Sequence, residues 1–128
     1  MKWENVPNNI EDHLGFVYLI TNLKNDKRYI GKKQFWKQIR RKPLKGKKRV
    51  RLDRVESDWN NYYGSSNKLL ADIELYGKAF FKREILTCYD SKFDLAYGEL
   101  EAQMCADVLY SKEYYNEIIN VRLRKVLK

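Results

Sequence analysis

Alternating hydrophobic and polar positions set out a short series of elements. Phe16-Val17-Tyr18-Leu19-Ile20-Thr21 is rich in β-branched and aromatic residues and reads as a strand. Residues 22–27 are turn material, and Arg28-Tyr29-Ile30-Gly31 resumes as a second strand, so the two predict an antiparallel hairpin. Residues 33–41 predict a short helix stopped ahead of Pro43, because proline disfavours helix in the residue before it. Ser66 or Asn67 caps a helix with apolar Leu69, Leu70, Ile73 and Tyr76 at helical spacing, and Gly77 ends it. A third strand is expected over residues 80–88. Ser91 then opens a long helix with Leu95, Leu100, Met104 and Val108 on one stripe, and a short helix over 112–119 closes the series. The expected fold is α/β (α+β): a small three-stranded antiparallel sheet flanked by helices.

The chain has 128 residues and 44% hydrophobic content, which predicts one domain over 1–128 with a single core and a polar, irregular extension at 1–14. No run approaches 18 apolar residues and the N-terminus has no apolar signal segment, so neither a membrane span nor secretion is expected. Cys88 and Cys105 have neither metal spacing nor a disulfide framework, which fits the cytoplasm. A single histidine, His13, excludes multi-histidine zinc chemistry.

Charge changes the picture. The segment 32–54 holds twelve Lys and Arg against Asp53 alone, a net +11, whereas the whole chain carries +9. Such a block repels itself and gains most by meeting a polyanion, where neutralised phosphates release counterions. With 18 aromatic residues beside it, the block points to nucleic acid.

Gly15-Phe16-Val17-Tyr18 and Tyr29-Ile30-Gly31, a hairpin loop apart, resemble the two motifs of the GIY-YIG nuclease family, the first one residue longer than the bare Gly-Ile-Tyr triplet. The resemblance runs over roughly residues 15–120, through Glu56-Ser57-Asp58-Trp59, Tyr63-Gly64-Ser65-Ser66, Phe81-Lys82-Arg83-Glu84-Ile85-Leu86 and Tyr114-Tyr115-Asn116. It is strongest to small phage-encoded proteins of the homing-endonuclease type. That resemblance implies a metal-dependent endonuclease that hydrolyses phosphodiester bonds, with double-stranded DNA as partner and no membrane, working as a monomer or homodimer. A phage-encoded member would work in the cytoplasm of a bacterial host. The alternative is a catalytically inactive nucleic-acid-binding accessory protein of the same fold.

Phosphodiester hydrolysis needs a nucleophilic water, a base, and cations for the charge on phosphate and leaving oxygen. Tyr18 and Tyr29 lie on adjacent strands, so matching pleat parity can bring both hydroxyls over one face. The resemblance makes Tyr18 the general base and gives Tyr29 the positioning of water or phosphate. Gly31 would let backbone or substrate approach closely. The family's phosphate-binding arginine sits on the helix after the second motif. It falls on Arg40 or Arg41; Arg40 is chosen after a one-residue shift, because Ile39 occupies the nearest position. The family's metal-ligating glutamate falls on Glu99. Glu101 competes, but two residues turn a helix about 200°, so only one can face the site. The cation expected there is Mg²⁺, with Mn²⁺ as a substitute. Asn116 matches a supporting asparagine. Lys32, Lys33, Arg41, Lys45, Lys47, Lys48, Arg49 and Arg51 are the expected nucleic-acid contacts.

Overall fold

The computed structural model describes residues 2–127; Met1 and Lys128, the two ends of the expected domain, lie outside the described residues. Its central strand is β2 (Gly15–Asn22), which pairs antiparallel with β3 (Arg28–Gln34) on one side and β6 (Phe81–Tyr89) on the other. Period-two alternation sends Phe16, Tyr18 and Ile20 to one face, where Trp3, Phe35, Trp59, Leu69, Ile73 and Phe81 complete an aromatic-rich core. Val17 points to the other face and packs with Ile30, Leu95 and Val108. A strand covered on both faces is apolar almost throughout, which explains why this run is so legible. Asn22 makes the turn that follows, its carboxamide oxygen accepting Lys24 N–H at 2.9 Å.

The sheet has four strands, not three, and is mixed. β1 (Trp3–Glu4), inside the stretch expected to be irregular, runs parallel to β6 and gives the order β1-β6-β2-β3. Trp3 secures it: its buried indole donates Nε1–H to Trp59 O at 2.8 Å. Two residues carry no period, so only the tertiary partner reveals this strand.

Helix α1 (Asn67–Tyr76) begins at Ser66, whose hydroxyl accepts Leu69 N–H, and ends at Gly77 with φ +93°. Helix α2 (Lys92–Cys105) is capped by Ser91 in the same way and buries Leu95, Ala96, Gly98 and Gln103. The expected stripe therefore shifts: Met104 is exposed and Val108 lies beyond the helix end.

Two other expectations are overturned. The stretch 33–41 is not helical: β3 runs to Gln34, and Trp36–Arg41 forms β4, paired with β5 (Arg51–Glu56) from inside the supposed basic loop. Pairing across a nine-residue connection, with Arg41 against Asp53 and Arg54 over Trp36, outweighs local helix propensity. The stretch 112–119 is not a helix either. Arg28 N–H donates to Glu113 O and Tyr115 N–H to Arg28 O, so this segment lies along the outer edge of β3.

Candidate active site

Register places the tyrosines. Tyr18 faces Gly31 directly across the β2–β3 pair, and Tyr29 sits two residues back on the same face, so their ring centroids are 6.1 Å apart. Gly31 is required because a Cβ would come within 2.6 Å of Tyr18 Cζ. The space expected to admit backbone or substrate thus holds the Tyr18 ring itself.

Tyr18 is 1% exposed, behind Tyr29, and its hydroxyl bonds with Tyr62. Burial, then the neighbouring phenols and Glu99, push its pKa well above the ordinary tyrosine value, so the resting form is the neutral phenol. Tyr29 is half-buried and its hydroxyl meets Ser65 Oγ at 3.2 Å. Its pKa is also raised, chiefly by burial, with the Ser65 bond opposing.

Glu99 and Tyr29 open into one cavity of about 550 Å³, together with Ser65, Gln103 and Asn116. Burial raises the Glu99 carboxyl, and both the Lys32 ammonium and a hydrogen bond from Lys32 N–H oppose the shift. Glu101 is exposed on the other side of α2, as helical geometry requires. Asn116 is buried and acts as a strand substitute at the β3 edge: its Oδ1 accepts Ile30 N–H at 3.1 Å and its Nδ2 donates to Ile30 O at 2.8 Å. Glu113, Tyr115, Asn116 and Glu99 together seal that edge from Arg28 to Lys32.

Cations stand close by. Lys33 Nζ lies 4.3 Å from the Tyr62 ring centroid and 2.7 Å from Asp58 Oδ1, and the pairing holds the Asp58 carboxyl below its ordinary value. Arg40 is not part of this group. The helix expected to carry it is strand β4, where Arg40 is exposed opposite Leu52 and does not line the cavity. Arg41 pairs with Asp53 at 2.8 Å, and Lys45, Lys47, Lys48, Arg49 and Arg51 lie exposed farther along the same hairpin. His13 pairs with Asp90 and does not line the cavity.

Sequence reasoning missed Tyr62 and gave no role to Ser65 and Arg83, although it quoted both within motifs. Arg83 donates to Asn60 O and Tyr62 O at 3.0 and 2.8 Å, and stacks on Trp3 and Tyr63. It therefore fixes the loop that carries Tyr62. The signal was Tyr62-Tyr63-Gly64-Ser65, where Gly64 has φ +92° and a Cβ would press on Leu69 and Tyr18.

Among the described residues no cluster of three or more His, Cys, Asp or Glu could hold a metal. The cavity is lined by hydroxyl and amide groups and by two carboxylates, Glu99 and Glu117, the second paired with Lys68 at 3.1 Å. That set suits a hard ion such as Mg²⁺, which takes one or two carboxylates and completes its shell with water and phosphate. A family model described as "Putative endonuclease segE, GIY-YIG domain" matches residues 2–119. No curated protein and no solved structure matches the chain.

Proposed function

The chain belongs to the GIY-YIG endonuclease family, and from that membership we propose that it is a metal-dependent DNA endonuclease that hydrolyses phosphodiester bonds. The observation that carries the proposal is the meeting of Glu99 with Tyr29 in one cavity, with Tyr18 behind Tyr29 and Lys32 and Lys33 beside them.

Glu99 would hold Mg²⁺ or Mn²⁺ through its carboxylate. The bound ion would supply positive charge for the scissile phosphate and the leaving oxygen. Lys32, whose ammonium acts on Glu99, and Lys33 take the phosphate-facing role as compact point charges. Tyr29, held by Ser65, positions the attacking water. Tyr18 is the base. Its buried phenol gives up a proton only where cations gather, and Lys33 lies 4.3 Å from the ring of its neighbour Tyr62.

One such site cuts one strand, so a monomer nicks, and a double-strand break needs two subunits or two encounters. The proposal includes the phage homing-type role in a bacterial cytoplasm. No helix among the described residues is long and apolar enough to cross a membrane.

The test is plasmid cleavage with Mg²⁺ or EDTA by wild type, Glu99→Gln, Glu101→Gln and Tyr18→Phe, with DNA binding measured in parallel. Glu99→Gln and Tyr18→Phe should lose cleavage about 100-fold or more and keep binding, while Glu101→Gln stays active. Equal cleavage by all four would remove the site. Binding without cleavage by wild type would instead favour the accessory-protein alternative.

A further inference from the structure

The β4–β5 hairpin stands apart from the rest of the chain. Neither strand has a buried residue, whereas a two-stranded ribbon alone is marginal in water. Its base is anchored by hydrogen bonds. Ser57 Oγ donates to Gln34 O at 2.6 Å, Ser57 N–H to Phe35 O at 2.7 Å, and Trp36 Nε1–H to His13 O at 2.9 Å. A solvated ribbon held this firmly needs an occupant, and its charge selects one. Residues 36–56 carry ten Lys and Arg against Asp53 and Glu56.

The two faces differ. One carries Lys37, Ile39 and Arg41 opposite Val55, Asp53 and Arg51; here Ile39 and Val55 are half-buried, Arg41 is tied to Asp53, and Arg51 donates to Lys42 O. The other carries Gln38 and Arg40 opposite Arg54 and Leu52, all four exposed, with Arg54 braced over Trp36 at 4.2 Å. Arg40 makes no ion pair among the described residues. Glutamine and arginine are the side chains whose paired hydrogen-bonding groups match the major-groove edges of adenine and guanine.

We propose that the β4–β5 ribbon enters the major groove of duplex DNA and reads base edges with Gln38, Arg40 and Arg54, while the cations of residues 42–49 hold the flanking phosphates. The inference rests on the nuclease reading for the identity of the partner. A two-stranded ribbon fits a groove about 12 Å wide, whereas the minor groove of about 6 Å excludes it. Six residues span about 20 Å, the length of about six base pairs. A cleft of about 570 Å³ between the ribbon base and α2, lined by Lys32, Lys33, Lys37 and Lys92, continues this cationic surface towards Glu99. DNA on the ribbon therefore has a charged track leading to the candidate active site.

The test selects bound duplexes from a randomised library without Mg²⁺, so it does not depend on cleavage. Wild type should enrich a short motif. Gln38→Ala and Arg40→Ala should each reduce discrimination about 10-fold at a single, different base pair, with thermal unfolding unchanged. Replacing Lys45, Lys47, Lys48 and Arg49 by Gln should weaken binding to all sequences alike and lower the log–log salt slope by about 3 to 4. In the enriched duplex, 7-deazaguanine, which lacks the major-groove N7, should weaken binding, and inosine, which lacks only the minor-groove amino group, should not. Binding without any motif, identical motifs from wild type and both single variants, or an inosine effect in place of the 7-deazaguanine effect would each overturn the proposal. If wild type selects a motif but does not cleave, the ribbon stands and the nuclease reading falls. If it cleaves but selects no motif, the nuclease reading stands and the ribbon falls.

Discussion

Asn116→Ala removes the side chain that stands in for a neighbouring strand beside Tyr29. At Ile30 O the lost donor leaves Gln103 Nε2 still bonded at 3.1 Å, so that oxygen loses about 1 kcal/mol. Ile30 N–H fares worse. Its acceptor is Asn116 Oδ1, and a buried donor left unsatisfied costs about 1–3 kcal/mol. The expected loss is about 2–4 kcal/mol out of about 5–15 for a whole domain. At about 4 °C per kcal/mol for this chain length, the melting temperature should fall by about 8–16 °C. Urea unfolding measures the loss, and amide hydrogen exchange locates it at Ile30. Because Ile30 separates Tyr29 from Gly31, cleavage by the folded fraction should fall as well. Asn116→Asp is the companion variant: protonated, its carboxyl can again accept from Ile30 N–H and donate to Ile30 O, and ionised it sets an oxygen against Ile30 O. Its deficit should therefore shrink as pH falls, the behaviour of a group whose pKa is raised by folding. A stability change under 0.5 kcal/mol for Asn116→Ala, with Ile30 exchange unaltered, would refute the strand-substitute account.

Gly31→Ala should destabilise by about 1–3 kcal/mol through overpacking on Tyr18, and combining it with Tyr18→Phe should recover part of that loss; strict additivity in the double-mutant cycle would contradict the packing argument. Arg83→Lys gives up the planar stacking on Trp3 and Tyr63 and cannot match both carbonyl contacts; it should lower stability by about 2 kcal/mol in urea unfolding, whereas an unchanged midpoint would remove its role in holding the loop of Tyr62. For the free enzyme, kcat/KM should rise about tenfold per pH unit between pH 7 and 9, because the raised Tyr18 pKa keeps the phenolate scarce throughout. A plateau inside that window would point to another base. At the acid end, Mg²⁺ affinity should weaken while pH is still above the ordinary carboxylate range, because burial raises Glu99.

What the sequence revealed was what local pattern determines. The β2 and β3 runs, the Ser66 and Ser91 caps and the Gly77 stop depend on residues a few positions apart, and they lie where the pattern puts them. Helical rotation required that only one of Glu99 and Glu101 face the cavity, and the resemblance chose Glu99, which does line it. Elements that depend on distant partners were not. β4 takes its strand character from β5, β1 from β6, and the segment around Tyr114 from the edge of β3. The helix expected to carry Arg40 was misread for the same reason. The expectation assumed a helix, whereas that stretch extends into a ribbon and Arg40 does not line the cavity. Tyr62 and Arg83 were given no role because a residue that supports another is marked by its contacts, and those span some twenty positions or more in the chain.

The three tryptophans are distributed in a way that makes the protein its own optical instrument. Trp3 and Trp59 sit in the aromatic core, whereas Trp36 lies half-buried at the ribbon base beneath the Arg54 guanidinium. Emission from the first two follows the melting of the sheet. Emission from Trp36 follows the surroundings of the ribbon, and the difference between wild type and Trp36→Phe isolates it. No dye or tag is needed to observe the ribbon and the core separately.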